Sequence, residues 1–213
     1  MTSRERVRRA LRFLEPDQVP LDLGGTRMSW IHAESYARLK RALGVRGGAI
    51  RVYDLYQMIC EVELPVVERL GVDLLPVQPL RPFFGLDIKR WRPYRFWWTP
   101  SDMACEVPAD FAPTTAPDGS MYLADGDPAG SRRPARMPPE GWHFDRTDPT
   151  GISERIEFEP IASVAACLTR LDDAELDLAR LQTETLYRDT DKSLVGGFYL
   201  GGMGPPSSLS FAD

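Results

Sequence analysis

The chain has little with which to hold a metal ion or a disulfide. Its two histidines, His32 and His143, lie in unrelated segments, and its three cysteines, Cys60, Cys105 and Cys167, stand far apart with no C-x-x-C pair. That spacing excludes a disulfide scaffold and a self-contained zinc ribbon, and reads as three reduced thiols of a cytoplasmic protein. No apolar run approaches the roughly 20 residues that cross a bilayer. The N-terminus, MTSRERVRRALRFLEPD, is basic but lacks the apolar stretch of a signal peptide, and Glu5 and Glu15 set it apart from a transit peptide. Basic charge is not in excess either. Lys and Arg number 26 against 31 Asp and Glu, for a net charge of -5 and a pI near 5.2. A general nucleic-acid binder needs a basic face to displace phosphate counterions, so that class is excluded. Internal repeats and low-complexity tracts are absent.

What is present is a globular composition, 43% hydrophobic and 27% charged. Thr2 and Glu5 stand at capping-box spacing, Val7, Leu11 and Leu14 follow at helical spacing, and Pro16 closes the run. Val19-Pro-Leu-Asp-Leu-Gly-Gly25 predicts a short strand carrying Asp22, with glycines for a sharp turn. A second helix is expected over Ala33 to Leu43, stopped by Gly44, and a third from about Tyr53 to Leu70, kinked or split at Pro65 and stopped by Gly71. Val72 to Val77 reads as a buried strand. From about Pro79 to Gly151 prolines and glycines crowd in, and Trp91, Trp97 and Trp98 fall together; hairpins and long loops are expected, inserted as a lid or dimer contact. Regular structure resumes at Arg155 to Glu159. Asp172 and Glu175 form a second capping pair ahead of a helix reaching Tyr187, and Ser193 to Leu200 reads as a strand with a loop at Gly201 to Pro206.

No strong chemical motif stands in the sequence. The Gly-Gly-Phe-Tyr-Leu-Gly-Gly-Met-Gly run from Gly196 fits neither the G-x-x-x-x-G-K-[ST] nor the G-x-G-x-x-G phosphate pattern, and suits a strand-end loop. Asp22 and Arg27 flank the turn after the first strand, where they would either orient a polar or anionic substrate or cap and pair locally. Gln57, with Asp54, would either face a pocket or cap a helix start. Asp73 suits a turn or cap better than catalysis. The tryptophan cluster suits core or interface packing, since single-strand binders also need a basic groove.

The residues Thr2-Ser-Arg-Glu-Arg-Val7, Ala10-Leu-Arg-Phe13, Glu15-Pro-Asp-Gln-Val-Pro20 and the following Leu-Asp-Leu-Gly-Gly resemble the opening of the uroporphyrinogen decarboxylase superfamily. Tyr36-Ala-Arg-Leu-Lys40, Gln57 with Glu61-Val-Glu63, Glu68-Arg-Leu-Gly-Val-Asp73 and Leu186-Tyr-Arg-Asp-Thr-Asp191 extend the resemblance, which covers roughly residues 1–80 and 172–206. It implies an α/β fold, a TIM (β/α)8 barrel with an N-terminal helical extension, here interrupted by the hairpin insertion at 79–151. A typical barrel takes about 250 residues, so these 213 would supply an incomplete one, marginal alone or dependent on a partner chain.

The superfamily holds decarboxylases, which act on a tetrapyrrole without a cofactor, and methyltransferases, which move a methyl group between a corrinoid protein and a thiol with zinc. Decarboxylases carry M-R-Q-A-G-R after the first strand and an aspartate in a F-S-D-I segment. Here those places read Gly24-Gly-Thr-Arg-Met-Ser29, with Arg27 the one basic residue, and Leu74-Leu-Pro-Val-Gln-Pro79. The methyltransferase branch fits this pattern better, and its zinc ligands, a His-x-Cys pair and a distant Cys, belong to the second half of the family's barrel. The resemblance therefore implies a corrinoid-linked methyltransferase, with uroporphyrinogen decarboxylase or a non-catalytic binding subunit as rivals. Asp22, Arg27 and Gln57 would position substrate. Zinc would be held by the complete protein, and a homo-oligomer is compatible.

Overall fold

Two sequence-local signals, caps and glycines, place the helices where the spacing predicts them. In the computed structural model, which describes residues 1–25, 29–78, 86, 88–123, 135–146 and 173–196, helix α1 spans Ser3–Leu11. The Thr2 side chain accepts from the Glu5 N–H while Glu5 accepts from the Thr2 N–H, so the capping box forms in both directions. The helix ends earlier than its apolar spacing predicts, because Phe13 turns to φ 56 and leaves Leu11 and Leu14 exposed. Helix α2, Ala33–Leu43, buries Ala33, Tyr36, Ala37 and Lys40 and stops at Gly44, whose φ of 69 suits a residue without a Cβ.

The expected helix from Tyr53 to Leu70 does not form as one element. Strand β1 (Ala49–Asp54) and the two-residue β2 (Ile59–Cys60) pair antiparallel, and only the last third is helical, as α3 (Leu64–Leu70). Branched Ile50 and Val52, fully buried on either side of exposed Arg51, suit a pleated strand, and they outweigh the weaker helical spacing. Pro65 sits in the first turn of α3, where its missing N–H costs nothing, so it starts a helix rather than kinking one.

The expected partial (β/α)8 barrel is not what the chain builds. Strands β3 (Leu74–Val77), β4 (Trp91–Pro93), β5 (Ala104–Pro108), β6 (Thr114–Thr115), β7 (Met121–Leu123), β8 (Ala135–Met137), β9 (Asp145–Arg146) and β10 (Ser193–Gly196) complete the set, with α4 over Asp173–Asp189. They form three separate sheets, ordered β2-β1-β5-β4, β10-β3 and β6-β7-β8-β9. Only β1–β5 and β3–β10 pair in parallel, and the described residues make an α+β fold with no barrel closed. The physical reason lies in residues 86–146. With no helical period, that stretch cannot supply the crossover helices a parallel barrel needs, and it folds as antiparallel hairpins. Those hairpins are not a detached lid. Cys105, Val107, Phe111, Leu123, Ala135, Met137 and Phe144 share one core with Tyr36, Ile50 and Val52. The expected strand at Arg155 to Glu159, Asp172 and the loop after Gly196 lie outside the described residues.

The second, smaller core gathers Val67, Val72 and Leu75 under Leu23, Leu186 and Leu194, and a single buried carboxylate ties it together. Asp73 accepts from the Ser3 hydroxyl (2.7 Å), the Arg6 guanidinium (2.5 Å) and the Leu21 N–H (2.9 Å). Its own N–H donates to Leu21 O, and its carbonyl accepts from Ser193 N, each at 2.8 Å. The Val19–Gly25 segment is thus held beside β3 by Leu21 without joining it as a strand. Arg4 completes the joint, its Nε donating to Lys192 O at 2.9 Å and its guanidinium lying 3.7 Å over the Tyr187 ring. Burial pushes the Asp73 carboxyl up, but the Leu21 N–H, Ser3 and Arg6 outweigh it and hold it below its ordinary value. Arg6 also holds Asp17 down at about 2.

Asp73→Ala is expected to destabilise the fold by about 1–3 kcal/mol, the cost of leaving the Ser3 hydroxyl and the Leu21 N–H without their acceptor while Arg6 keeps Asp17, read from the urea midpoint. Because the folded value lies below the unfolded one of about 3.9, the stabilisation is complete above that value and is lost as pH falls through the folded value. The wild-type midpoint should therefore drop with a steeper slope below about pH 4 than that of Asp73→Asn.

Candidate functional site

Of the residues singled out from the sequence, Asp22 is committed to its own turn. Its Oδ1 accepts from the Gly25 N–H at 2.9 Å and its Oδ2 from the Ser29 hydroxyl at 2.7 Å. Gly25 is required there, since a Cβ would lie 2.5 Å from Asp22 Oδ1 and 3.0 Å from Leu74 Cβ. Arg27 lies outside the described residues. Gln57 is exposed on the turn that follows β1, and the Asp54 carboxylate accepts from the Tyr56 and Gln57 N–H groups at 2.9 and 3.0 Å.

The chain brings the end of the Asp22 loop beside the Gln57 turn. Ala33 N donates to Met58 O at 2.8 Å, Cys60 N to Ile31 O at 3.3 Å, and His32 bridges Ile59. Trp30 meets Tyr53 edge to face, with ring centroids 5.1 Å apart. The His32 ring is fixed from both sides. Its Nδ1 accepts from the Glu34 N–H at 3.1 Å, capping α2, so the neutral ring carries its proton on Nε2 and donates it to Trp142 O at 2.7 Å. Trp142 lies 4.4 Å from Trp97, whose indole N–H is tied to Gly141 O at 3.0 Å. Trp97 and Trp142 remain 50% and 41% exposed, while Trp98 is stacked on Phe96 in the core. The result is a rim at the C-terminal end of β1, with the anchored indole faces of Trp97 and Trp142 and the exposed Gln57 turn. Such a surface suits a ligand with an apolar or flat body and a polar edge.

A cleft of about 560 Å³ opens at the other end of the sheet, between Lys40, Arg41, Gly44 to Gly48 and Asp102 to Ala104. Most of its charge is spent. Lys40 donates to Gly47 O at 2.8 Å and pairs with Glu63, which also accepts from the Tyr36 hydroxyl at 3.0 Å; Arg41 pairs with Asp102. Gly48, at φ 67, packs so close that a Cβ would lie 1.6 Å from Glu63 Oε1. This cleft lies at the N-terminal ends of β1 and β5, and with Lys40 and Arg41 paired it offers less free chemistry than the exposed indoles of the rim, which is the better candidate.

Neither described thiol is activated. Burial pushes Cys60 well above the ordinary thiol value and Cys105 up to about 12, so both stay protonated. Protonated, apolar-packed thiols do not suit zinc, and among the described residues no three His, Cys, Asp or Glu side chains converge as ligands. Cys167 lies outside the described residues. Sequence reasoning missed the roles of His32, Trp142 and Glu61. Histidine stands outside the usual Ser, Thr, Asp and Asn caps, and Trp142 is remote in sequence from its partners. None of the described helices is long and apolar enough to cross a membrane.

Glu61 is the carboxyl raised above its ordinary value among the described residues. Burial raises it, Arg51 opposes that, and Glu106 and Glu63 add to it. A raised carboxyl favours the fold fully below its unfolded value, about 4.3, and that contribution is lost as pH rises through the folded value. Glu61→Gln should therefore raise the melting temperature at pH 7 and leave it unchanged below about pH 4, the reverse of Asp73→Asn.

Compared with known proteins, the chain matches no family model, and no curated protein or solved structure resembles it at a significant level.

Proposed function

We propose that this chain belongs to a uroporphyrinogen-decarboxylase-superfamily enzyme of the corrinoid-linked methyltransferase type and supplies its substrate-facing surface. One observation carries the reading. The pieces that resemble the family at Thr2 to Val7, Leu21 to Gly25 and Glu68 to Asp73 meet at the Asp73 carboxylate through Ser3, Arg6 and Leu21, and the Leu186 to Asp191 piece joins the first of them through Asp191 O, which accepts from the Arg4 N–H. The proposal concerns lineage and chemistry, since the described residues keep these local pieces and depart from the family's barrel.

In this reading the chain binds and does not catalyse. The rim around Gln57 and the Asp22 loop takes the methylated compound or the methyl-donating corrinoid protein, with Trp97 and Trp142 covering its apolar surface. Zinc and the activated thiol it serves belong to residues beyond those described, and no step of the chemistry is assigned to Cys60 or Cys105. The decarboxylase alternative is less well supported, because Asp22 is spent on its turn and β3 carries no aspartate. A purely binding subunit is favoured by the lack of an activated nucleophile among the described residues.

Equilibrium dialysis of the whole chain against methylcobalamin and against uroporphyrin separates these readings. Saturable binding of methylcobalamin, weakened several-fold by Gln57→Ala, is the expected result. Saturable binding of uroporphyrin alone would move the assignment to the decarboxylase, and binding of neither would leave the non-catalytic reading.

A further inference from the structure

The N-terminal arm exposes apolar side chains that nothing in the described chain covers. Leu11 is 76%, Phe13 99% and Val19 85% exposed, with Leu14 half exposed beside them. Phe13 is held in the left-handed region at φ 56 by bonds from Phe13 N to Ala10 O and from Leu14 N to Arg9 O, a conformation unfavourable for a bulky residue. The turn projects its ring into solvent. Around this patch the charge is basic. Arg8 and Arg12 stand one helical turn apart, both exposed, and neither forms an ion pair among the described residues. A groove of about 490 Å³ runs alongside, lined by Met1, Glu5, Arg8 and Arg9.

A surface of the opposite kind lies on α4. The helix has 17 residues and buries none of them. Asp173, Asp177, Leu181 and Glu184 recur at spacings of four, four and three, which puts them on one face, with exposed Leu176 beside them. Within one chain α1 reaches α4 through Arg4, at the helix's C-terminal end, and neither Arg8 nor Arg12 pairs with any of these carboxylates. One chain therefore carries a basic apolar patch and an acidic apolar face that do not satisfy each other.

We propose that two copies of the chain associate by reciprocal docking, the arm of each, through Arg8, Leu11, Arg12 and Phe13, on the α4 face of the other. Two such contacts related by a two-fold axis close the assembly, which an unreciprocated arm-to-helix contact would not. Apolar burial supplies the affinity, and the charges set register and exclude the arm-on-arm and helix-on-helix alternatives.

The test is a charge exchange followed by light scattering on a sizing column. The wild-type chain should run at twice its 24.0 kDa at low salt and shift toward monomer at high salt. Phe13→Asp, the double variant Arg8→Glu/Arg12→Glu and the double variant Asp177→Arg/Glu184→Arg should each run as monomers with unchanged circular dichroism. Mixing the two double variants should restore the dimer, because each reversed arm then meets a reversed helix and each native arm a native one. Should either double variant fail to fold, Arg8→Gln/Arg12→Gln serves in its place, with at least a tenfold weaker dimer expected. A monomeric wild type, a dimer indifferent to these changes, or a mixture that stays monomeric would each overturn the proposal.

Discussion

The buried carboxylate of Asp73 is the constraint on which the smaller half of the molecule depends. β3 and β10 make a sheet of only two strands, which in water is marginal without further support. Asp73 supplies it by joining the helix before the sheet, through Ser3 and Arg6, to the extended segment beside it, through Leu21, and to β10, through Ser193. A buried ion pair adds little when it replaces good apolar packing, but breaking one is expensive. Its effect here is therefore on specificity. The carboxylate is satisfied where three sequence-distant segments meet, its own strand, α1 and the Leu21 segment, and an arrangement without either partner leaves it short of donors.

The larger core works differently. It rests on Ile50, Val52, Val107, Phe111 and their neighbours, joined across the parallel β1–β5 pair and closed by antiparallel hairpins. Polar groups appear at its edges and decide what each end can do. At the N-terminal end of β1 the cations Lys40 and Arg41 are tied to Glu63 and Asp102. At the C-terminal end the His32 ring joins the start of α2 to the Trp142 backbone, and leaves two indole faces open to solvent. The open chemistry makes the second end the candidate binding face.

Elements bounded by local signals were legible in the sequence. The Thr2/Glu5 box, Gly44 and Gly71 give the start of α1, the whole of α2 and the end of α3 within a residue or two, because a cap or a left-handed glycine acts on its immediate neighbours. Where two periods competed, at Tyr53 to Leu70, the spacing misled, since pairing of β1 with β5 and β2 is a tertiary gain invisible locally. The barrel failed for the same reason on a larger scale: family-like ends do not determine how 79–151 pairs. In the candidate site, Asp22 is committed to its own turn, which the sequence does not reveal because its partners Gly25 and Ser29 cannot be told from a ligand's by type alone, and Gln57 lies exposed on the turn after β1. Asp73 reads from the sequence as a turn or cap, and the structure instead ties its carboxylate to Ser3, Arg6 and Leu21, partners too distant in sequence to be seen without coordinates.

Native-state hydrogen exchange across the Asp73 joint tests this account most directly. The Arg4, Leu21, Asp73 and Ser193 amides donate, in that order, to Asp191 O, the Asp73 carboxylate, Leu21 O and Asp73 O. If the joint is one cooperative unit, the four amides share a single opening free energy and lose protection together in Asp73→Asn. Arg4 and Leu21 exchanging at near-unfolded rates while Ser193 stays protected, or protection surviving the substitution, would contradict it.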